Sequence, residues 1–121
     1  MAGMTVPADE WGPDHASLLA YIETRVVDYK GRIDRSRLRM NGTEYPTRLK
    51  DGAEPRPGHN DLDVISDLYA YGLLVQVGVD LYSLSELGWR AAHRVRRARA
   101  GGLSRAEVAA VLRQAVTGSS S

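Results

Sequence analysis

The chain has 121 residues, enough for one domain with a modest core, and its 43% hydrophobic and 26% charged content excludes a disordered or fibrous class. It has no cysteine, which excludes disulfides, thiolate metal sites and thiol nucleophiles. The net charge of +1 hides an alternation: residues 1–29 carry one basic and five acidic groups (net −4), 30–56 eight and four (+4), 57–89 none and five (−5), and 90–121 seven and one (+6).

Blocks of this kind build separate surfaces of opposite sign, which matter for partners more than for fold. No apolar run reaches the roughly 18–20 residues of a membrane span. The start MAGMTVPADE lacks the basic-then-apolar pattern of a secretion signal. A cytoplasmic protein with no membrane partner is therefore expected.

Residues 1–12 read as a loose arm, with Trp11 as its one docking residue. Gly12-Pro13-Asp14 opens a helix, since proline suits the first helical position and an acidic group suits the positive end. Leu18, Leu19, Ile22, Val26 and Tyr29 recur at helical spacing, and Gly31 stands where a left-handed cap belongs. Residues 33–42 (IDRSRLRMNG) fit either a short helix capped by Asp34 or a strand running into an Asn41-Gly42 turn. The helix is the preferred reading. Residues 43–59, with Pro46, Asp51-Gly52, Pro55, Pro57 and Gly58, form an irregular connection.

A second helix is expected over 60–71, capped by Asn60 and carrying Leu62, Ile65, Leu68 and Tyr69 on its apolar face. Two short strands follow, around VQV and LYSL, joined tightly through Gly78-Val79-Asp80. Ser85 caps the next helix, with Glu86 in its first turn, and Gly101-Gly102 breaks it. Ser104 and Glu107 form a capping box for a last helix ending near Val116, and the tail 118–121 frays. The fold class is α+β and mostly helical, with one short β-hairpin. A main domain spans 13–100 and a C-terminal helical segment spans 101–117.

The segment from "YGLL" through the hairpin to "YSLSELGWRAA" resembles the C-terminal half of winged-helix regulators such as the MarR and PadR families. The residues that carry the resemblance are Gly72, Leu73, Leu74, Tyr82, Leu84, Ser85 and Gly88, and it covers roughly 60–95. It implies a winged-helix domain with a two-stranded wing and an added C-terminal helix. It also implies a small DNA-binding protein, a transcriptional regulator. The alternative is a protein-interaction module on the same scaffold that does not read DNA and takes an acidic or basic protein partner. In this alignment helix 60–71 is the recognition helix, yet it carries Asp61, Asp63 and Asp67 and no basic side chain. The wing VQVGVDLY also lacks arginine and lysine. Phosphate neutralisation dominates DNA affinity, so the contacts are expected elsewhere.

On the helix after Ser85, Leu87, Ala91, Val95 and Ala98 form the inward stripe, and Arg90, Arg94 and Arg97 follow one flank at i, i+4, i+7. These three, with Arg35, Arg37 and Arg39 of the basic segment 30–50, are the candidate nucleic-acid contacts. A merely solvated basic face explains each set about equally well. Trp89 lies nearly opposite the stripe with His93 and Arg96, and a tryptophan there calls for cover. That cover is either the last helix or a second subunit. Trp89, Val108, Val111 and Leu112 are accordingly the candidate surface of a homodimer.

Enzymatic chemistry finds no support. His15, His59 and His93 form no metal-ligand repeat, and helix capping accounts for the aspartates of His59-x-Asp61-x-Asp63. There is no glycine-rich phosphate loop and no serine–histidine arrangement, so no cofactor and no metal are expected.

Overall fold

A computed structural model describes residues 6–24, 32–34 and 61–118. In chain order it contains helix α1 (Pro13–Thr24), strand β1 (Arg32–Asp34), helix α2 (Asp61–Ala70), strands β2 (Leu74–Gln76) and β3 (Leu81–Leu84), and helices α3 (Glu86–Ala100) and α4 (Arg105–Thr117). The fold is mixed and mostly helical, as expected. The expectations for Val26, Tyr29, Gly31, Asn60 and the connection 43–59 lie outside the described residues.

α1 is the central helix. It begins at Pro13 and packs against α2, α3, α4 and β1. Ala16, Leu18, Leu19, Ala20 and Ile22 are buried, but so are Asp14, His15, Ser17 and Glu23. A helix enclosed on this many sides has no solvated face on which to place polar groups, so each needs a partner inside the protein.

The segment before α1 corrects the loose-arm expectation over residues 6–12. A 3₁₀ turn, Ala8–Glu10, packs against α4, and Trp11 is buried. Trp11 Nε1–H donates to Val6 O at 2.9 Å, and Arg113 on α4 donates to Trp11 O at 2.6 Å. The indole thus finds its apolar pocket and its hydrogen-bond acceptor in the same place.

β1 adds a strand to the hairpin. Arg32–Asp34 pairs antiparallel with β3, in the register Ile33↔Tyr82, so Ile33 and Asp34 lie in a strand, and the short helix expected after Asp34 falls outside the described residues. Residues 35–42 lie outside the described residues. β2 pairs with the other side of β3, giving the sheet order β1-β3-β2, with Leu74↔Leu84 and Gln76↔Tyr82. The two-residue period turns Ile33, Leu74, Tyr82 and Leu84 to the core. Val75 and Val77 face the other way and are about half exposed, at 45% and 48%.

The end of α2 and the start of α3 are tied together at a single point. Gly72 takes a left-handed conformation (φ +80°), Gly72 N–H donates to Tyr69 O, and Leu73 N–H donates to Leu68 O. This is a Schellman closure, with Leu68 and Leu73 both fully buried beneath it. Ser85 N–H then donates to Leu73 O at 3.0 Å, Ser85 Oγ donates to Gly72 O at 2.5 Å, and the same Oγ accepts from Gly88 N–H at 3.0 Å. One serine therefore pins the helix end, the edge of the hairpin and the next helix start. Gly88 sits so close that a Cβ there would lie 2.1 Å from Leu73 O.

α3 and α4 pack as a helical hairpin. Gly102 (φ +87°) closes α3, and the capping box of Ser104 and Glu107 opens α4, with bonds of 2.8 and 3.2 Å. The inward stripe of α3 is as expected: Ala91 and Val95 are fully buried, and Leu87 and Ala98 are partly buried. Ala92 and Gly88 widen it.

The four residues expected at a homodimer surface divide. Val108 and Leu112 belong to the chain's own core, against α1 and α3, and Val111 and Trp89 are partly buried. Trp89 packs against that core instead of standing bare. Val108 and Leu112 are thus covered within one chain, and Trp89 and Val111 in part.

Gly88→Ala should lower stability by more than about 3 kcal/mol or prevent folding, because the new methyl meets a backbone carbonyl that cannot swing aside. Urea denaturation followed by circular dichroism measures it. An alanine variant as stable as the parent would show that the junction is looser than these distances imply.

Candidate nucleic-acid interface

The exposed side of α3 follows from its buried side. With positions 88, 91, 92 and 95 turned inward, the helical period brings 90, 94 and 97 to the surface, and all three arginines are exposed. None of them has a hydrogen-bond or ion-pair partner among the described residues. Arg90, Arg94 and Arg97 span seven positions, a rise of about 10 Å along the helix. They form a run of guanidiniums whose donors are all available, in forks suited to phosphate oxygens.

The neighbouring cations are differently employed. Arg96 Nη1 lies 3.5 Å from Glu23 Oε2 on α1, His93 Nδ1 lies 3.9 Å from the same oxygen, and Arg96 and His93 are 2.9 Å apart. Glu23 is buried at 4% exposure and its Oε1 has no hydrogen-bond partner. A carboxylate held there needs a nearby cation, and the half-exposed Arg96 supplies it from the rim. Arg96 therefore locks α3 to α1 and contributes little open charge.

α2 differs most from its sequence appearance. Asp63, Val64, Ile65, Asp67 and Leu68 are all buried, and only Ser66 among them is partly open. Asp67 is fully enclosed. Its Oδ2 takes His15 Nε2–H at 2.8 Å, and its Oδ1 accepts from Val6 N–H at 3.0 Å. The His15 ring stacks on Trp11, with centroids 4.8 Å apart and planes within 4°, and Tyr71 meets Trp11 edge-on at 5.4 Å. On its other side, His15 Nδ1 faces Gly12 N–H at 3.3 Å and Asp14 Oδ1 at 3.1 Å. Asp63 and Asp67 are thus not surface anions: both are buried, and Asp67 is hydrogen-bonded by an imidazole 52 residues away.

The apolar face expected for α2 is likewise shifted. Ile65 and Leu68 are buried as expected, but Tyr69 is 47% exposed and rests edge-on against Tyr82. The hairpin carries no cation, and its exposed large apolar side chains are Val75, Val77 and Val79, the last at 89%.

The candidate contacts therefore divide. Arg90, Arg94 and Arg97 come together on one open flank. Arg35, Arg37 and Arg39 lie outside the described residues. The buried His15–Asp67 pair was not anticipated from sequence. Its one local trace is the four-residue spacing of Trp11 and His15, which stacks two rings at the entry to a helix. No family model, curated protein or solved structure matches the chain. No helix among the described residues is long and apolar enough to cross a membrane.

Removing one partner of the His15–Asp67 hydrogen bond leaves the other's polar atom buried and unsatisfied, at a loss of about 1–3 kcal/mol. His15→Ala and Asp67→Ala should each show it in urea denaturation. The double variant should recover a coupling energy of about 1–3 kcal/mol, because the second deletion removes what the first stranded. Strictly additive losses would mean that the two side chains do not depend on each other.

Proposed function

We propose that the chain is a small winged-helix DNA-binding protein, a transcriptional regulator, that grips the DNA backbone through the arginine flank of α3. The observation that carries this reading is the run Arg90, Arg94 and Arg97, exposed and unpaired among the described residues. The hairpin between α2 and α3, held by Gly72, Ser85 and Gly88, supports the winged-helix part, because these are the positions on which the resemblance rests. The inward turn of Asp63 and Asp67 supports the DNA part, because it removes two anions from the surface that a duplex would approach. Backbone contacts of this kind position a protein on a duplex without reading its sequence. In α2, between positions 63 and 70, only Ser66, Tyr69 and Ala70 reach solvent, so the base contacts expected of a recognition helix are few.

A second reading, a protein-interaction module on the same scaffold, is favoured by Val75, Val77 and Val79. Three exposed valines on a hairpin without cations suit a protein surface better than a groove lined by phosphates.

Fluorescence anisotropy with a labelled duplex of arbitrary sequence separates the two. The parent protein should bind at low salt, and Arg90→Ala/Arg94→Ala/Arg97→Ala should bind more weakly. The triple variant should also show a log–log salt slope shallower by roughly 0.9 for each phosphate it no longer neutralises. If the parent shows no affinity even at low salt, the DNA reading fails and the interaction module replaces it.

A further inference from the structure

The β2–β3 hairpin has an open edge. Ser85 N–H donates to Leu73 O and Val77 N–H donates to Leu81 O, so positions 73, 75 and 77 turn their backbone groups toward β3, with Val75↔Ser83 between them. The N–H and C=O groups of Leu74 and Gln76 therefore face outward, and they have no partner among the described residues. The solvent face of the same strand is apolar: Val75 and Val77 are about half exposed, and Val79 in the turn is almost fully so. We propose that this edge is a contact between two copies of the chain, in which β2 pairs antiparallel with β2 of a second copy about a two-fold axis through Val75. It is a different surface from that of Trp89 and α4.

Backbone pattern, side chains and charge each favour the second copy. An axis at Val75 sets Leu74 opposite Gln76 of the second copy, and Gln76 opposite its Leu74. Both become hydrogen-bonded pairs, so every outward N–H meets an outward C=O. An axis at Leu74 would set Gln76 against Gly72, and an axis at Gln76 would set Leu74 against Gly78. The N–H groups of both glycines are already engaged, with Tyr69 O and Leu81 O. The axis at Val75 also brings the two Val75 side chains together in a non-hydrogen-bonded pair, the closer of the two kinds. Val77 of each copy lengthens the apolar strip on the same face.

Residues 72–79 carry no charged side chain, and Asp80 stands five positions from Val75, about 17 Å along a strand. Two copies thus meet with no like charges inside the roughly 8 Å over which physiological salt screens them. The arginine flank of α3 offers a second copy only repulsion. Edge strands are commonly guarded by lysine, proline or a bulge, and Leu74–Gln76 carries none of these. A strand this short falls below the roughly 1,200–2,000 Å² of a stable interface, so the dimer is a weak one, with a dissociation constant on the order of 100 μM. The pairing requires neither reading of the function.

The test is sedimentation equilibrium of the intact chain from about 10 μM to about 1 mM, where a monomer–dimer equilibrium should appear. Val75→Lys places two ammonium groups at the axis and should weaken the dimer at least about tenfold. Gln76→Pro removes an outward N–H and no bond to β3, and should weaken it as much with every valine in place. Both positions are exposed, and an amide NMR spectrum unchanged outside 72–82 verifies the fold of each variant. In the parent, hydrogen exchange at the Leu74 and Gln76 amides should slow as concentration rises, while that of Val75, already bonded to β3, changes less. A chain that stays monomeric throughout overturns the proposal. So does a dimer that either folded variant leaves intact, because the contact then lies elsewhere. DNA affinity is read from the duplex titration alone, so the two questions are answered separately.

Discussion

The enclosed contact between His15 and Asp67 fixes the rest of the molecule. It joins the first turn of α1 to the last turn of α2, two elements separated by a long stretch of chain, and neither side chain reaches solvent. Burial of a carboxylate and an imidazole is expensive, and their attraction offsets that only when the remaining polar atoms are also satisfied. Here they are satisfied by the segment that precedes α1: Val6 N–H takes the second Asp67 oxygen, and Val6 O takes the indole N–H of Trp11, which stacks on His15. The contact thus sets the angle of α2 and also recruits the N-terminal segment as part of the core. Apolar packing alone would hold α2 against α1 but would permit it to slide; the directional bonds select one position.

That position passes along the chain through rigid joints. α2 closes at Gly72, the closure delivers Leu73 O to Ser85 N–H, and Ser85 starts α3 three residues before Gly88 meets the same carbonyl. The start of α3 is tied in this way to the end of α2, while packing against α1 and α4 fixes the direction of the helix and so of Arg90, Arg94 and Arg97.

The elements that sequence disclosed are those governed by local rules. Caps at Ser85 and Ser104, breaks at Gly72 and Gly102, the VQV–LYSL hairpin and the α3 stripe all depend on residues within a few positions of one another, and all are found. What escaped depends on distant partners. Arg32–Asp34 is too short to announce a strand and becomes one only because β3 offers an open edge some fifty residues on. Asp67 has the composition of a solvated helix face and becomes a core residue only because His15 arrives beside it. Tyr69 fits the apolar period but rests on Tyr82 with half its surface in water, since a phenol ring can serve both sides of a boundary. The arginine flank was legible for the converse reason: where the inward stripe is unambiguous, the outward positions follow from the helical period. Which partners those arginines lack could be read only from the packed structure.

The same burial alters the meaning of the charge blocks. Over 57–89 the sequence carries five acidic groups and no lysine or arginine, which suggests an anionic surface. Asp63 and Asp67 are inside, so the block shows solvent less negative charge than its composition indicates. The basic block over 90–121 keeps more of its charge, because among the described residues only Arg96 of its first four arginines pairs with a buried carboxylate. Successive members of the flank rise by about 6 Å and about 4.5 Å along α3. Both intervals are shorter than the roughly 8 Å over which physiological salt screens exposed charges. Arg90, Arg94 and Arg97 therefore act on an approaching polyanion as a single patch, and the near-neutral total of the chain conceals a surface with a definite positive side.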